Sequence, residues 1–164
     1  MEKCVFVVST SQVPYVFADM IWPAAIVGER LRSVVPITAG LAVEWLALWL
    51  RFGLSWKKAI VVDVVMNVIS AAVGAFAIPL LGLVWEVGPG VVIYKLFNIG
   101  TFNPITWSAT FAIAVLTTTA IEATVVKIGF KISLSAQRVC ILLAANSVSV
   151  ALAFVSFWTN PRNF

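Results

Sequence analysis

The chain has 164 residues, of which 62% are hydrophobic and only 11% are charged, and its mean hydropathy is +1.04. A soluble domain carries about 25% charged residues, so a soluble fold of this composition would expose more apolar surface than water tolerates. The net charge of +4 comes from basic residues at the ends of apolar segments, which is unlike the basic stripe of a nucleic-acid-binding surface. The composition therefore predicts an integral membrane protein that is in contact with the lipid bilayer and binds no nucleic acid.

The first apolar stretch, residues 4–27, is interrupted by Gln12, Pro14, Asp19 and Pro23. Such interruptions are typical of a short segment that lies on the membrane surface or enters it only partway. We expect an interfacial segment here. The alternative is a fifth span that begins in the cytoplasm.

Four mostly apolar segments follow, each close to the length of about 20 residues that crosses a bilayer. They cover residues 33–50, 59–85, 104–126 and 136–158. Pro79 is expected to kink the second segment or end its regular part, and Gly-Pro-Gly at 88–90 predicts a turn. The predicted fold is an all-α integral membrane protein with four transmembrane helices in a single membrane domain, 1–164.

Short connections join the helices of each pair, at residues 51–58 and 127–138. Each connection carries three basic residues and no acidic one. Because loops rich in Lys and Arg stay on the cytoplasmic side, both turns are predicted to be cytoplasmic and both termini to lie outside.

Polar residues inside the apolar segments occur twice. Five residues recur in the second half of the chain, four of them 79 residues later and the glutamate 78 residues later. The pairs are Tyr15 and Tyr94, Asp19 and Asn98, Glu44 and Glu122, Asn67 and Asn146, and Ser70 and Ser149. The chain therefore reads as two tandem repeats, about 1–82 and 83–164, each an interfacial segment followed by a helical hairpin. Two spans per repeat make the repeats parallel, which excludes inverted-repeat transporter folds if there are four spans.

The repeated glutamates lie deep inside predicted spans. At 1.5 Å per residue, Glu44 lies about 10 Å from the hairpin turn and Asn67 about 13 Å from it. The two side chains are therefore at similar depth on neighbouring helices, and a Glu–Asn hydrogen bond is predicted in each hairpin. The serine three residues after each asparagine shares its helix face and is expected beside the pair.

Two interpretations of these residues remain open. Polar side chains between transmembrane helices can simply hold the helices together, each hydrogen bond contributing about 0.6 kcal/mol on average. Intramembrane carboxyl groups also mark ion pathways, so the residues can instead form two half-sites for a proton, a cation or an amine. The candidate site comprises Glu44, Asn67, Ser70, Glu122, Asn146, Ser149 and Asp63.

Asp63 has no acidic counterpart, because the aligned position in the second repeat is Leu142. The simplest prediction is an ion pair with Lys57, Lys58 or Arg51 at the cytoplasmic edge. If a site exists, Asp63 makes the first repeat its more charged half.

The chain contains two cysteines, Cys4 and Cys140, and no histidine. Neither cysteine has a neighbouring partner in the sequence, so no disulfide and no zinc site is expected. No phosphate-binding loop, nucleophile elbow or metal-ligand motif occurs. We therefore predict no enzymatic activity and no cofactor.

Four short strings carry a resemblance. They are Val-Glu-Trp-Leu at 43–46, Met-Asn-Val-Ile-Ser at 66–70, Gly-Thr-Phe-Asn-Pro at 100–104 and Ala-Asn-Ser-Val-Ser at 145–149. The chain is similar in these strings to small bacterial multi-pass membrane proteins with a glutamate-bearing hairpin and a later Asn-x-x-Ser. The resemblance implies a bacterial plasma membrane location and no activity.

The sequence thus favours an accessory or scaffold subunit of a larger membrane assembly, whose partners are other membrane subunits or further copies of the chain. The alternative is a small transporter or channel that uses Glu44 and Glu122 as proton or cation half-sites.

Overall fold

The structure is a computed structural model that describes residues 34–98 and 103–159. Side chains are described for residues 37–98 and 103–155. Its elements are α1 (Val34–Leu50), α2 (Trp56–Trp85), a π-helical stretch (Glu86–Gly90), α3 (Val91–Phe97), α4 (Pro104–Thr124), a second π-helical stretch (Val125–Gly129) and α5 (Ala136–Thr159). All secondary structure in these ranges is helical, which confirms the all-α class. The predicted interfacial segment at 4–27, with Tyr15 and Asp19, lies outside the described residues.

Three helical segments are long and apolar enough to cross a membrane: Trp56–Phe97, Pro104–Gly129 and Ala136–Val155. The first predicted span is a shorter apolar helix, α1, of 17 residues. Many large apolar side chains are exposed, such as Phe76 at 74% and Leu96 at 73%. Apolar groups on the outside of a helical bundle are expected where lipid replaces water. The structure therefore supports a membrane protein.

One local prediction about the second span is wrong, because Gly88-Pro89-Gly90 is not a turn but part of the π-helical stretch. Of the two outcomes expected at Pro79, an end of the helix does not occur, since Pro79 lies inside α2. A proline ring crowds the carbonyl of the preceding helical turn, and the wider π-helical turn at Pro89 gives the chain an extra residue there. The interfacial segment expected at the start of the second repeat, around Tyr94, is helical to Phe97 and follows the long second helix without a break.

The four main helices α1, α2, α4 and α5 form a ring in which each packs on two others. α1 packs on α2 and α5, and α4 packs on α2 and α5. Two clusters of buried apolar side chains fill the interior at different levels. The cluster near the hairpin turns contains Leu48, Phe52, Ala59, Val62, Met66, Val126, Ile132 and Leu142, and the other contains Ile78, Ala114, Val115 and Val150.

The two hairpin turns share one pattern of backbone hydrogen bonds. Each first helix ends with one bond that spans five residues and one that spans six, and the residue between the two donors has a positive φ: Gly53 (71°) and Lys131 (54°). A left-handed residue is a common way to end a helix, but the longer bond in each turn joins residues one position further apart than in the usual motif. The bonds are Phe52 to Ala47 (3.3 Å) and Leu54 to Leu48 (3.4 Å) in the first turn, and Phe130 to Val125 (3.2 Å) and Ile132 to Val126 (3.1 Å) in the second.

Arg138 at the start of α5 connects these two turns. Its guanidinium group donates hydrogen bonds to the Ser133 carbonyl at 2.7 Å and to the Phe52 carbonyl at 3.3 Å. The same group lies 5.2 Å from the centre of the Phe52 ring. Both hairpin turns are therefore at the same end of the bundle.

Candidate functional site

The predicted Glu–Asn contact is present in the first hairpin. Glu44 on α1 is only 1% exposed, and Asn67 on α2 donates to its Oε2 atom at 2.5 Å. The Asn67 amide also donates to the Asp63 carbonyl, one helical turn earlier, at 3.0 Å. These bonds orient the amide nitrogen toward α1 and leave the second carboxyl oxygen of Glu44 for another partner.

The second hairpin repeats this arrangement. Glu122 on α4 is 1% exposed, and Asn146 on α5 donates to its Oε2 atom at 2.5 Å. Asn146 also donates to the carbonyl of Leu142 at 3.2 Å. Both glutamates are therefore held by an asparagine of their own hairpin, in the same way.

The two serines lie next to the glutamate of the opposite hairpin. The Ser149 hydroxyl on α5 is placed to donate to Oε1 of Glu44 at 3.4 Å or to the carbonyl of Ala145 in its own helix at 3.3 Å, and Ser70 on α2 lies near Glu122. The sequence had placed each serine beside its own Glu–Asn pair. The sequence did not predict that each serine lies next to the glutamate of the opposite hairpin. This contact depends on the order of the helices around the ring, which the spacing of residues within one hairpin does not specify.

Gly40 allows the close contact between α1 and α5 at this point. A Cβ atom at Gly40 would lie 2.6 Å from Ser149 Oγ and 3.3 Å from Ser149 Cβ, closer than non-bonded atoms approach. Only glycine therefore fits there without a shift of the Ser149 side chain. The position of a glycine one helical turn before Glu44 was the sequence signal that could have indicated this contact.

Asp63 does not occupy the predicted position at a charged edge. It is 3% exposed, and its Oδ1 atom accepts a hydrogen bond from Asn67 at 3.2 Å. The lysines at 57 and 58 are exposed, and within the described ranges Asp63 forms no ion pair. The Asn67 amide is thus shared between two carboxyl groups, whereas the matching Asn146 serves one.

Both glutamates open onto a single cavity of about 290 Å³. Residues of α1, α2, α4 and α5 line it, and neither lysine nor arginine is among them. Its apolar walls include Ile37, Leu41, Val64, Val68, Ile78 and Val150, and its polar groups are Glu44, Asn67, Ser70, Thr118, Glu122, Asn146 and Ser149. Six of the seven residues of the predicted site therefore meet at one cavity, and Asp63 lies behind it.

No three His, Cys, Asp or Glu side chains are placed to hold a metal ion in the described part of the chain. The cavity instead presents carboxyl oxygens and amide groups above apolar walls. Such a surface suits a small molecule with a hydrogen-bond-donating head and an apolar body.

A second buried polar cluster was missed by the sequence analysis. Glu86 is 2% exposed and accepts a hydrogen bond from the Tyr94 hydroxyl at 2.5 Å. That hydroxyl lies 2.7 Å from Oγ1 of Thr106, which also accepts from Asn103 at 3.1 Å. Asn103 caps the start of α4 through the backbone N–H groups of residues 105 and 106. The cluster therefore fastens the end of the long second helix to α4.

The sequence signal for this cluster was Gly90, which lies four residues from both Glu86 and Tyr94. A Cβ atom at Gly90 would lie 3.1 Å from Glu86 Oε2 and 3.3 Å from the Tyr94 hydroxyl. The glycine thus leaves room for the bond between them. Glu86 was not among the predicted site residues.

The comparisons with known proteins give no further guide to this site. No protein-family model, no curated protein and no solved structure matches the chain.

Proposed function

We propose that this protein is a small membrane transporter whose central cavity binds a small organic cation between Glu44 and Glu122. The observation that carries the proposal is the shared cavity: two buried carboxyl groups from different hairpins face one space of about 290 Å³ with no basic side chain in its lining. Among the described residues, their side-chain hydrogen-bond partners are the neutral groups of Asn67, Asn146 and Ser149.

Charge balance supports a cationic ligand. An ionised carboxylate inside a bilayer is costly unless a positive charge compensates for it. In this cavity the lining provides no such charge. An ammonium group has three N–H donors and no acceptor, so it can bind the carboxyl oxygens of both hairpins at once.

The apolar part of the lining supports an organic ligand. Sites for small molecules are mostly apolar with a few convergent polar groups, and they range from about 300 to 1,000 Å³. The cavity lies at the small end of this range. A compact amine with one aromatic or branched alkyl group matches its volume and its walls.

The proposal includes the topology predicted from the sequence. Four membrane-crossing helices form two parallel repeats in a bacterial plasma membrane, with the basic hairpin turns in the cytoplasm. Three observations support this topology: the matching hydrogen bonds of the two turns, their position at one end of the bundle, and the basic residues of both turns. The proposed activity is binding and movement of a solute, without enzymatic chemistry.

A ligand pair that differs only in charge tests the proposal. Benzylamine is a cation at neutral pH, and benzyl alcohol is its neutral analogue of nearly equal size. We expect benzylamine, and not benzyl alcohol, to raise the unfolding temperature of the purified protein in detergent. Glu44→Gln or Glu122→Gln should weaken benzylamine binding by about 10- to 100-fold, the loss of one charge-assisted hydrogen bond of about 1.5–3 kcal/mol.

Glu86→Gln is the matched control, because it changes a buried carboxyl group whose cluster meets α4 at Thr106, 16 residues or about 24 Å before Glu122. It should leave benzylamine binding unchanged. Equal stabilisation by benzylamine and benzyl alcohol, or equal losses in all three variants, would contradict the proposal.

One observation favours the accessory-subunit function as a second candidate. Glu44 of α1 is by itself in contact with two further helices, because it accepts hydrogen bonds from Asn67 of α2 and Ser149 of α5. Such a contact can serve helix packing only. The mass of the particle that mild detergent extracts from the native membrane separates the candidates: other polypeptides in the particle favour the subunit, and one or two copies of the chain favour the transporter.

A further inference from the structure

The Asn67 amide has more acceptors around it than it has hydrogens. An amide group carries two N–H donors. Three oxygen atoms lie within hydrogen-bonding distance of the Asn67 nitrogen: Glu44 Oε2 at 2.5 Å, the Asp63 carbonyl at 3.0 Å and Asp63 Oδ1 at 3.2 Å. One acceptor of the first hairpin is therefore left without a hydrogen from this amide.

The second hairpin has no such surplus among the described residues. The Asn146 nitrogen donates to two acceptors, Glu122 Oε2 at 2.5 Å and the Leu142 carbonyl at 3.2 Å, which match its two donors. Leu142 occupies the position of Asp63 in the repeat. The surplus acceptor is thus due to the Asp63 carboxyl group, and one additional proton in the first hairpin would balance it.

The carboxyl groups of Glu44 and Asp63 are close together. Glu44 Oε2 and Asp63 Oδ1 lie 2.5 Å and 3.2 Å from the same nitrogen, so these two oxygens are at most 5.7 Å apart, the sum of the two distances. Both residues are buried, with 1% and 3% of their surface exposed. Two negative charges at this distance repel each other strongly inside a protein, and a proton on one of the two groups removes the repulsion.

The charged groups around this pair come from the helices that pack on α2. Glu122 of α4 interacts electrostatically with both Glu44 and Asp63, and α5 adds no titratable group to the cavity lining. The π-helical stretch after α4 also packs on α2, but its Lys127 is exposed. Glu86 lies 23 residues after Asp63, far along the same helical segment. Within the described ranges, these neighbours add negative charge to the pair and no buried positive charge.

We infer that Glu44 and Asp63 share one proton in the ligand-free protein, and that the organic cation displaces this proton when it binds. The O–H bond of the shared acid breaks, the proton passes to water, and the ammonium group takes over its charge. The net charge of the site is the same before and after binding, so transport by this route exchanges one proton for one cation. The exchange rests on the proposed function, whereas the shared proton is measurable without a ligand.

Infrared titration of the ligand-free protein measures the shared proton, because a protonated carboxyl group has a carbonyl stretch that its ionised form lacks. Asp63→Asn and Glu44→Gln each leave one carboxyl group of the pair without its charged neighbour. The pair's part of the band should therefore disappear about two pH units lower in both variants. This shift follows from Coulomb's law for a separation of about 5.7 Å and an effective dielectric constant of about 20.

Glu86→Gln is the matched control, because it removes another buried carboxyl group of the same helical segment. It should remove its own contribution to the band and leave the pH dependence of the remainder unchanged. A band whose pH dependence is the same in Asp63→Asn, in Glu44→Gln and in the unmodified protein would overturn the shared proton.

Binding of benzylamine measures the exchange. In a weakly buffered solution at pH 7, the unmodified protein should release about one proton per benzylamine bound, and Asp63→Asn should release less than about half as many. Binding that releases no proton from the unmodified protein would overturn the exchange but not the proposed function. Absence of binding would overturn the proposed function together with the exchange, and the infrared titration would still decide whether Glu44 and Asp63 share a proton.

Discussion

The cavity of Glu44 and Glu122 and the cluster around Glu86 both bury carboxyl groups against neutral hydrogen-bond donors, but they differ in packing. The glutamates of the cavity face about 290 Å³ of space. The Glu86 carboxyl group is tightly packed instead, because a Cβ atom on Gly90 would lie only 3.1 Å from its Oε2 atom. Equally buried carboxyl groups therefore have different surroundings, which fit the binding site that we propose in one region and a structural fastening in the other.

The largest expected difference between the two regions is the loss of protein stability when Glu86 is replaced. Glu86→Ala removes the acceptor of the Tyr94 hydroxyl and leaves a hole, which should lower the free energy of unfolding by about 3 kcal/mol. Denaturant unfolding in detergent measures the loss. Glu86→Gln keeps an acceptor oxygen of similar position and should lose less than half as much.

The affinity of the Glu86→Ala variant for benzylamine tests whether the cluster around Glu86 takes part in ligand binding. Glu86→Ala should leave it within a factor of about two of the unmodified protein at temperatures where the variant is folded, because Thr106, where the cluster meets α4, lies about 24 Å along that helix from Glu122. A tenfold loss of affinity would show that the cluster belongs to the binding site.

Gly40→Ala is expected to have the next largest effect. The new methyl group would lie 2.6 Å from Ser149 Oγ, and overpacking of this kind costs about 1–3 kcal/mol. If that contact causes the loss, Ser149→Ala should reduce it, because the double variant has no Oγ atom at this point. Additive losses in the double variant would contradict the close contact between α1 and α5.

The smallest predicted effect distinguishes the two hairpins. Asn67→Leu leaves both Glu44 and Asp63 without an amide donor, whereas Asn146→Leu deprives only Glu122. We expect Asn67→Leu to lower the free energy of unfolding by about 1 kcal/mol more than Asn146→Leu. In an Asp63→Leu background the difference should disappear, and its persistence would mean that Asp63 does not depend on Asn67.

The sequence predicted the helices and the Glu–Asn pairs because both depend on distances along one hairpin. The turn fixes the register of two antiparallel helices, so a rise of 1.5 Å per residue places Glu44 opposite Asn67. The same reasoning applies to Glu122 and Asn146, and both contacts are present.

The features that the sequence did not predict depend on packing between hairpins or on local helix geometry. Ser149 reaches Glu44 because α5 is the neighbour of α1 in the ring, which no spacing within a hairpin reveals. Asp63 was expected near lysines on its own helical end, but Asn67 provides a closer partner. The glycines on either side of Pro89 indicated a turn, yet a π-helical stretch continues the helix through them.

The position of a heavy-atom ligand tests the central claim most directly. Crystals of the protein with 4-bromobenzylamine would locate the bromine by its anomalous signal. The account predicts one bromine peak against the apolar wall of the cavity near Ile78, with the ammonium group within hydrogen-bonding distance of Glu44 and Glu122. A bromine peak outside the cavity, or an occupied cavity with the ammonium group directed away from both glutamates, would contradict it.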